Sequence, residues 1–130
     1  DRLFQFYGHT EELFLEYKPV LIFPDIKKMF QEITNQDKSI SILSNTAFIK
    51  GAALRKLLEY YEVTDYFKFQ IYSDEAGFSK PSAAIFQLVL DEISKYKKIE
   101  KKEVLHIGDN SIADYNGAIQ FGFNAHLLKI

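Results

Sequence analysis

Val104-Leu105-His106-Ile107-Gly108-Asp109-Asn110 is a short apolar run that ends on a glycine and then a carboxylate. It reads as a strand over Val104–Ile107 that delivers polar groups at its C-terminal end. A helix is predicted next, over Ile112–Phe121, stopped by Gly122 as a left-handed cap, with a last strand over Asn124–Ile130. Working back from Val104, the alternation repeats. Pro81 suits the first turn of a helix whose apolar face is Ile85, Phe86, Val89, Leu90 and Ile93. That helix fades into the basic stretch Lys95–Lys102, read as a solvated helix end. Phe67–Tyr72 is a strand followed by the loop Ser73–Lys80, which contains Gly77. Ser39–Leu43 is another, running into Ser44-Asn45-Thr46 and a helix over Ala47–Tyr60. Between Pro24 and Asn35, Ile26, Met29, Phe30 and Ile33 recur at helical spacing.

Strand and helix thus alternate with short connections, the signature of a parallel sheet covered by helices on both faces. The predicted fold class is α/β: a doubly wound, mostly parallel sheet in a three-layer α/β/α sandwich. Asp1–Lys18 stands apart, rich in aromatic and acidic residues. Thr10 is expected to cap a short helix over Glu11–Tyr17, and Gly8 to break what precedes it. The expected division is therefore 1–18 as a connector and 19–130 as the core.

Composition narrows the function. A chain of 130 residues with 47% hydrophobic side chains can bury one core, and 12 Phe and 8 Tyr make that core bulky. A net charge of −2 gives no electrostatic reason to expect nucleic acid or an anionic membrane. No apolar run approaches the roughly 20 residues of a bilayer span, and no signal sequence is visible. The absence of Cys removes thiolate nucleophiles, thiolate metal sites and disulfides, and fits a reducing compartment, so the expected location is the cytoplasm. The expected ligand is small.

In open parallel sheets, ligands bind beyond the carboxyl ends of the strands. The polar residues at those ends here are Ser44, Asn45 and Thr46, then Asp74 and the 77–80 loop, then Asp109, Asn110 and Asp114. Asp109, beside a glycine that permits close approach, can offer oxygen to a hard divalent cation. Asp114 lies in the first turn of the following helix, where the dipole favours its charge. The alternative is that Asp109 or Asn110 caps that helix and Asp114 merely complements its dipole. Lys80 is a compact charge able to pair with a phosphate oxygen or a carboxylate, or else a solvated loop lysine. Ser44 can donate to a phosphate oxygen, with the amides of Asn45 and Thr46 adding donors, or it can cap the next helix. His106, inside a strand, reads as a packed or satisfied structural histidine rather than a proton shuttle and stays outside the site.

Taken in order, these elements resemble the haloacid dehalogenase superfamily. Its second motif, an apolar strand ending in Ser or Thr, is matched by Ile42-Leu43-Ser44-Asn45. Its loop lysine is matched by Gly77-Phe78-Ser79-Lys80-Pro81, and its acidic fourth motif by Leu105–Asn110 followed by Asp114-Tyr115-Asn116-Gly117-Ala118. The resemblance runs from about Pro24 to Ile130 and implies a phosphatase-like site. In it Ser44 and Asn45 would hold the phosphoryl group, and Lys80 would offset negative charge. Asp109 would bind Mg²⁺, and Asp114 would act just outside the metal's ligands. The implied substrate is a small phosphorylated metabolite.

The superfamily's first motif, a strand followed by two aspartates spaced two apart, is missing. Asp1 has no preceding strand, and Asp25 begins a helix. That motif supplies the nucleophile of an aspartyl-phosphate mechanism, so the sheet is expected to lack its first strand and the chain by itself to be inactive. Asp1–Lys18 falls where the family closes a helical cap. A phosphomutase, a metal-free haloacid dehalogenase and a non-catalytic binding or regulatory module with this fold are the alternatives. A phosphoacceptor receiver domain would need an early acidic cluster that is not present.

Overall fold

The structure is a computed structural model that describes residues 2–19, 21 and 23–130. Two compact units divide the chain, one ending at Glu75 and the other beginning at Ala76.

In the first unit, α1 (Arg2–Glu16) and α2 (Ile26–Thr34) precede β1 (Ile40–Ser44), α3 (Gly51–Tyr60) and β2 (Phe67–Tyr72). A further helical turn, α4 (Ser73–Ala76), closes the segment. β1 and β2 pair in parallel, with Ser44 opposite Tyr72, so the carboxyl ends of both strands lie side by side. The core gathers Ala53, Val63 and Tyr72, and Phe30 of α2 meets the rings of Tyr66 and Phe67.

Two expectations change here. α1 runs straight through Gly8, and Thr10 is not its cap: the Thr10 hydroxyl donates to the Phe6 carbonyl one turn back. Glycine costs a helix only about 1 kcal/mol relative to alanine, and the Phe6 and Tyr7 rings packed on Phe48 offset it. The helix expected from Ala47 begins instead at Gly51, because Lys50 is extended (φ −88°, ψ 166°). Its first N–H is capped by Asp74 Oδ1 at 3.1 Å, a partner 23 residues away. A glycine is required at that first position, since a Cβ on Gly51 would lie 2.7 Å from the Tyr72 ring.

In the second unit, α5 (Ala83–Ser94) leads to β3 (Leu105–Gly108), a turn and α6 (Gly117–Phe121), and β4 (Asn124–Leu127). β3 and β4 are parallel, with His106 opposite Ala125. α5 starts after its expected position: Ser82 is the N-cap, accepting from the Ala84 N–H, and Pro81 lies just ahead of it. Ile85, Phe86, Val89, Ala118 and Phe123 are buried, and Phe86 meets the rings of Phe121 and Phe123. Burying a residue such as Phe86 contributes about 1.5–3 kcal/mol. Gly122 takes the predicted left-handed cap at φ 108°.

The helix predicted over Ile112–Phe121 is not uniformly α. Residues Ser111–Asn116 form a wider π-type turn that tightens into α6. Among the described residues, no helix is long and apolar enough to cross a membrane.

Candidate functional site

The acidic residue that the wide turn carries is the centre of the second unit's polar cluster. Asp114 is 5% exposed and the only charged side chain buried among the described residues. Its Oδ1 accepts from Lys80 Nζ at 2.5 Å and lies 2.9 Å from His106 Nε2. Its Oδ2 accepts the Asn110 N–H at 3.1 Å. The turn makes this possible: Asn110 caps it with its side chain, accepting from the N–H groups of Ile112 and Ala113, while its carbonyl takes the N–H groups of Asp114 and Tyr115. The last of these is an i→i+5 bond, and it widens the turn so that Asp114 folds back over the end of β3. Such π-type turns are frequent at functional sites.

Gly108 completes the arrangement. A Cβ there would sit 2.2 Å from the Asp114 carboxyl carbon, so this glycine admits Asp114 to the strand end. On the other side, Pro81 packs on Gly117, where a Cβ would approach Pro81 Cβ to 2.9 Å. This seats the residue before it, Lys80, with its side chain 10% exposed.

Burial pushes the Asp114 carboxyl up, but the hydrogen bonds from Lys80, His106 and the Asn110 N–H outweigh it and hold the group below its ordinary value. Asp114 is therefore ionised at neutral pH. For His106, burial is the largest influence and lowers its pKa; Asp114 opposes that, and the charge of Lys80 adds to it.

The structure thus brings together Lys80 and Asp114 of the residues singled out from sequence, and Asn110 in the role of cap that was weighed for it. Asp114 does more than complement a helix dipole, because it pairs with a lysine whose side chain is only 10% exposed. Asp109 is exposed and makes no hydrogen bond or ion pair among the described residues. His106, read from sequence as a packed or satisfied structural histidine outside the site, is a direct partner of Asp114. The available signal was a lone polar side chain inside an apolar strand, which must find a partner if buried.

Ser44 and Asn45 belong to the first unit. Ser44 does not cap α3, which begins seven residues on; its hydroxyl is 3.4 Å from the Asn45 carbonyl. Thr46 knits the two strand ends there: its N–H donates to Ser73 Oγ, and its hydroxyl donates to Asp74 Oδ1 at 2.7 Å while accepting the Asp74 N–H. Arg55 makes a two-pronged pair with Glu75 and lies over the Tyr72 ring. Thr46→Val is expected to cost about 1–2 kcal/mol of stability in urea unfolding, because it removes the side-chain bonds to Asp74 and leaves the Asp74 N–H without its acceptor.

Mg²⁺ is the metal the sequence resemblance implied. Among the described residues, no three His, Cys, Asp or Glu side chains converge as a ready-made metal cage. Mg²⁺ does not demand one, since it is commonly held by one or two carboxylates with waters and phosphate oxygens. Asp109 fits as such a ligand, with its oxygens open. Asp114 is less suited to direct ligation, because it is 5% exposed and its Oδ1 already accepts from two side chains.

The sequence profile of haloacid dehalogenase-like hydrolases matches residues 1–122. The chain belongs to that family. Haloacid dehalogenase-like hydrolase domain-containing protein 3 of Xenopus laevis is 26% identical over 105 residues, covering 81% of this chain and 40% of that protein. The haloacid dehalogenase-like fold is also seen in a phosphatase from Thermococcus onnurineus (TM-score 0.77, 22% identity, 92% of this chain and 53% of that one). A 2-haloacid dehalogenase from Pseudomonas syringae superposes with a TM-score of 0.65 at 26% identity, over 88% of this chain and 44% of that one. The α/β class expected from sequence is therefore the observed one, that of the haloacid dehalogenase-like hydrolases. The chain spans 38–40% of the length of the curated relatives it matches.

Proposed function

We propose that the protein containing this haloacid dehalogenase-like chain is a Mg²⁺-dependent phosphohydrolase. Its substrate is a small phosphate monoester, and the reaction runs through an aspartyl-phosphate on a carboxylate not among these residues. The observation that carries the reading is the Lys80–Asp114 pair at 2.5 Å, with side chains only 10% and 7% exposed, which fixes a positive charge in place. Phosphoryl transfer asks chiefly for positioning and for stabilised negative charge, and a lysine anchored by a buried carboxylate offers both.

In this reading Lys80 offsets charge on the transferring group, and Asp114 fixes where that charge sits. Asp109 is the protein ligand for Mg²⁺, which when bound would neutralise charge on the phosphoryl oxygens. A haloacid dehalogenase is the second reading, supported by the likeness to the Pseudomonas syringae enzyme.

The test is a panel of phosphate monoesters with and without Mg²⁺, set beside 2-haloacids without metal, using the full-length protein. Phosphate release that requires Mg²⁺ is expected. Halide release without metal would replace this reading with the second, and no turnover in either arm would count against both. Asp109→Asn is expected to lower apparent Mg²⁺ affinity or turnover by about 10–100-fold, the range typical of groups that support a metal site. Because Asp109 has no partner among the described residues, its thermal midpoint should stay unchanged.

A further inference from the structure

We propose that His106 is a positioning residue: its Nε2–H holds Asp114 Oδ1, so that the carboxylate presents one fixed oxygen to Lys80. The kinetic part of this proposal rests on the phosphohydrolase reading above.

The geometry is explicit. His106 Nε2 and Lys80 Nζ both address the same oxygen, at 2.9 Å and 2.5 Å, while the Asn110 N–H takes the other. The three side chains are nearly closed to solvent, at 14% exposure for His106, 10% for Lys80 and 7% for Asp114. A carboxylate held only by lysine and one backbone amide could follow the flexible four-carbon stem of the lysine as it moved. An imidazole supplies a donor whose place does not depend on Lys80. Its ring is fixed by the β3 backbone and by Phe86, which meets it edge-on at 5.6 Å and 85°. Phe86 is itself fully buried, so the donor stands on a rigid base.

Packing alone does not call for histidine here. Phe86, the ring that meets His106, is an apolar neighbour that offers the imidazole no hydrogen bond of its own kind, and a buried polar ring is costly unless bonded. Because an ionised carboxylate only accepts hydrogen bonds, the imidazole hydrogen must reside on Nε2. That assignment is a direct physical consequence of the proposed role.

Two measurements test it. In the full-length protein, His106→Gln keeps an N–H near the Nε2 position, whereas His106→Met fills similar space without one. Met is expected to lower kcat by about 10–100-fold with KM nearly unchanged, as outer partners of an active site commonly do. Gln should restore most of that loss, and Met should have the lower thermal midpoint, because it removes a donor to a buried carboxylate that Gln keeps. Equal losses in Gln and Met, or wild-type kcat in Met, would overturn the positioning role.

The second measurement needs no turnover. Nitrogen NMR of the wild-type protein with labelled histidine should place the His106 hydrogen on Nε2 and leave Nδ1 bare. A hydrogen on Nδ1 alone would overturn the proposal even if every variant misfolded. If no ester is hydrolysed but the Nε2–H is found, the phosphohydrolase reading falls and the hydrogen-bonded role of His106 stands.

Discussion

Asp114→Ala is expected to lower the free energy of unfolding by about 3–5 kcal/mol at neutral pH, the cost of stripping one partner from a buried ion pair. The substitution leaves the Lys80 ammonium, 10% exposed, without its carboxylate, and it also strands the His106 N–H and the Asn110 N–H. The pH dependence follows from the direction of the Asp114 shift. Its folded pKa lies below the ordinary value, so the unfolded chain takes up the proton first. The stabilisation is then fully present above the unfolded pKa of about 3.9 and is lost as pH falls through the lower folded value. The gap between wild type and Asp114→Ala in urea titrations should therefore narrow below about pH 4. His106 acts in the same direction at higher pH. Its folded pKa is also lowered, so wild-type stability should begin to decline as pH falls below about 6.5, where the unfolded chain gains that proton. A loss under about 1 kcal/mol, the value of an exposed pair, would show that the pair is solvated.

How far the sequence disclosed this arrangement depends on how local each cause is. Phe67–Tyr72 matches its predicted strand at both ends, because apolar patterning and the flanking residues decide it locally. Gly122 was equally legible, since a positive φ is a property of one residue. Lys80 and Asp114 were found by their places at the ends of strands, which is a topological signal. What periodicity could not show was the start of α3. Its cap is Asp74, a residue on the far side of the next strand. Nor could it show the wide turn at Ser111–Asn116, which comes from the carbonyl of Asn110 accepting two N–H groups. Without that turn, the helix dipole was the visible reason for an acidic residue at position 114, and a contact to His106 eight residues back had no local mark. Consistency across levels failed where a polar residue sat in an apolar strand, and such conflicts are expected at functional sites.

Lys80→Met is expected to reduce kcat of the full-length protein by about 10²–10³-fold in the phosphohydrolase reading, the usual cost of removing one preorganised electrostatic group. Methionine matches the length of the stem and leaves Pro81 free to pack on Gly117 as before, so the change isolates the charge. If Lys80 acts on charge that develops in the transition state, kcat and kcat/KM should fall together, with KM little altered. A rise in KM with kcat preserved would instead make Lys80 a binding group for the ground state. Lys80→Arg should not rescue, because the planar guanidinium cannot occupy the nearly closed space of an ammonium 2.5 Å from Asp114 Oδ1. Stability separates this result from simple unfolding. Asp114 in the Lys80→Met variant keeps the Asn110 N–H and His106 Nε2, so the variant should lose less stability than Asp114→Ala while losing most of its turnover. Wild-type kcat in Lys80→Met would leave the buried pair as a structural strut and remove the observation on which the phosphohydrolase reading stands.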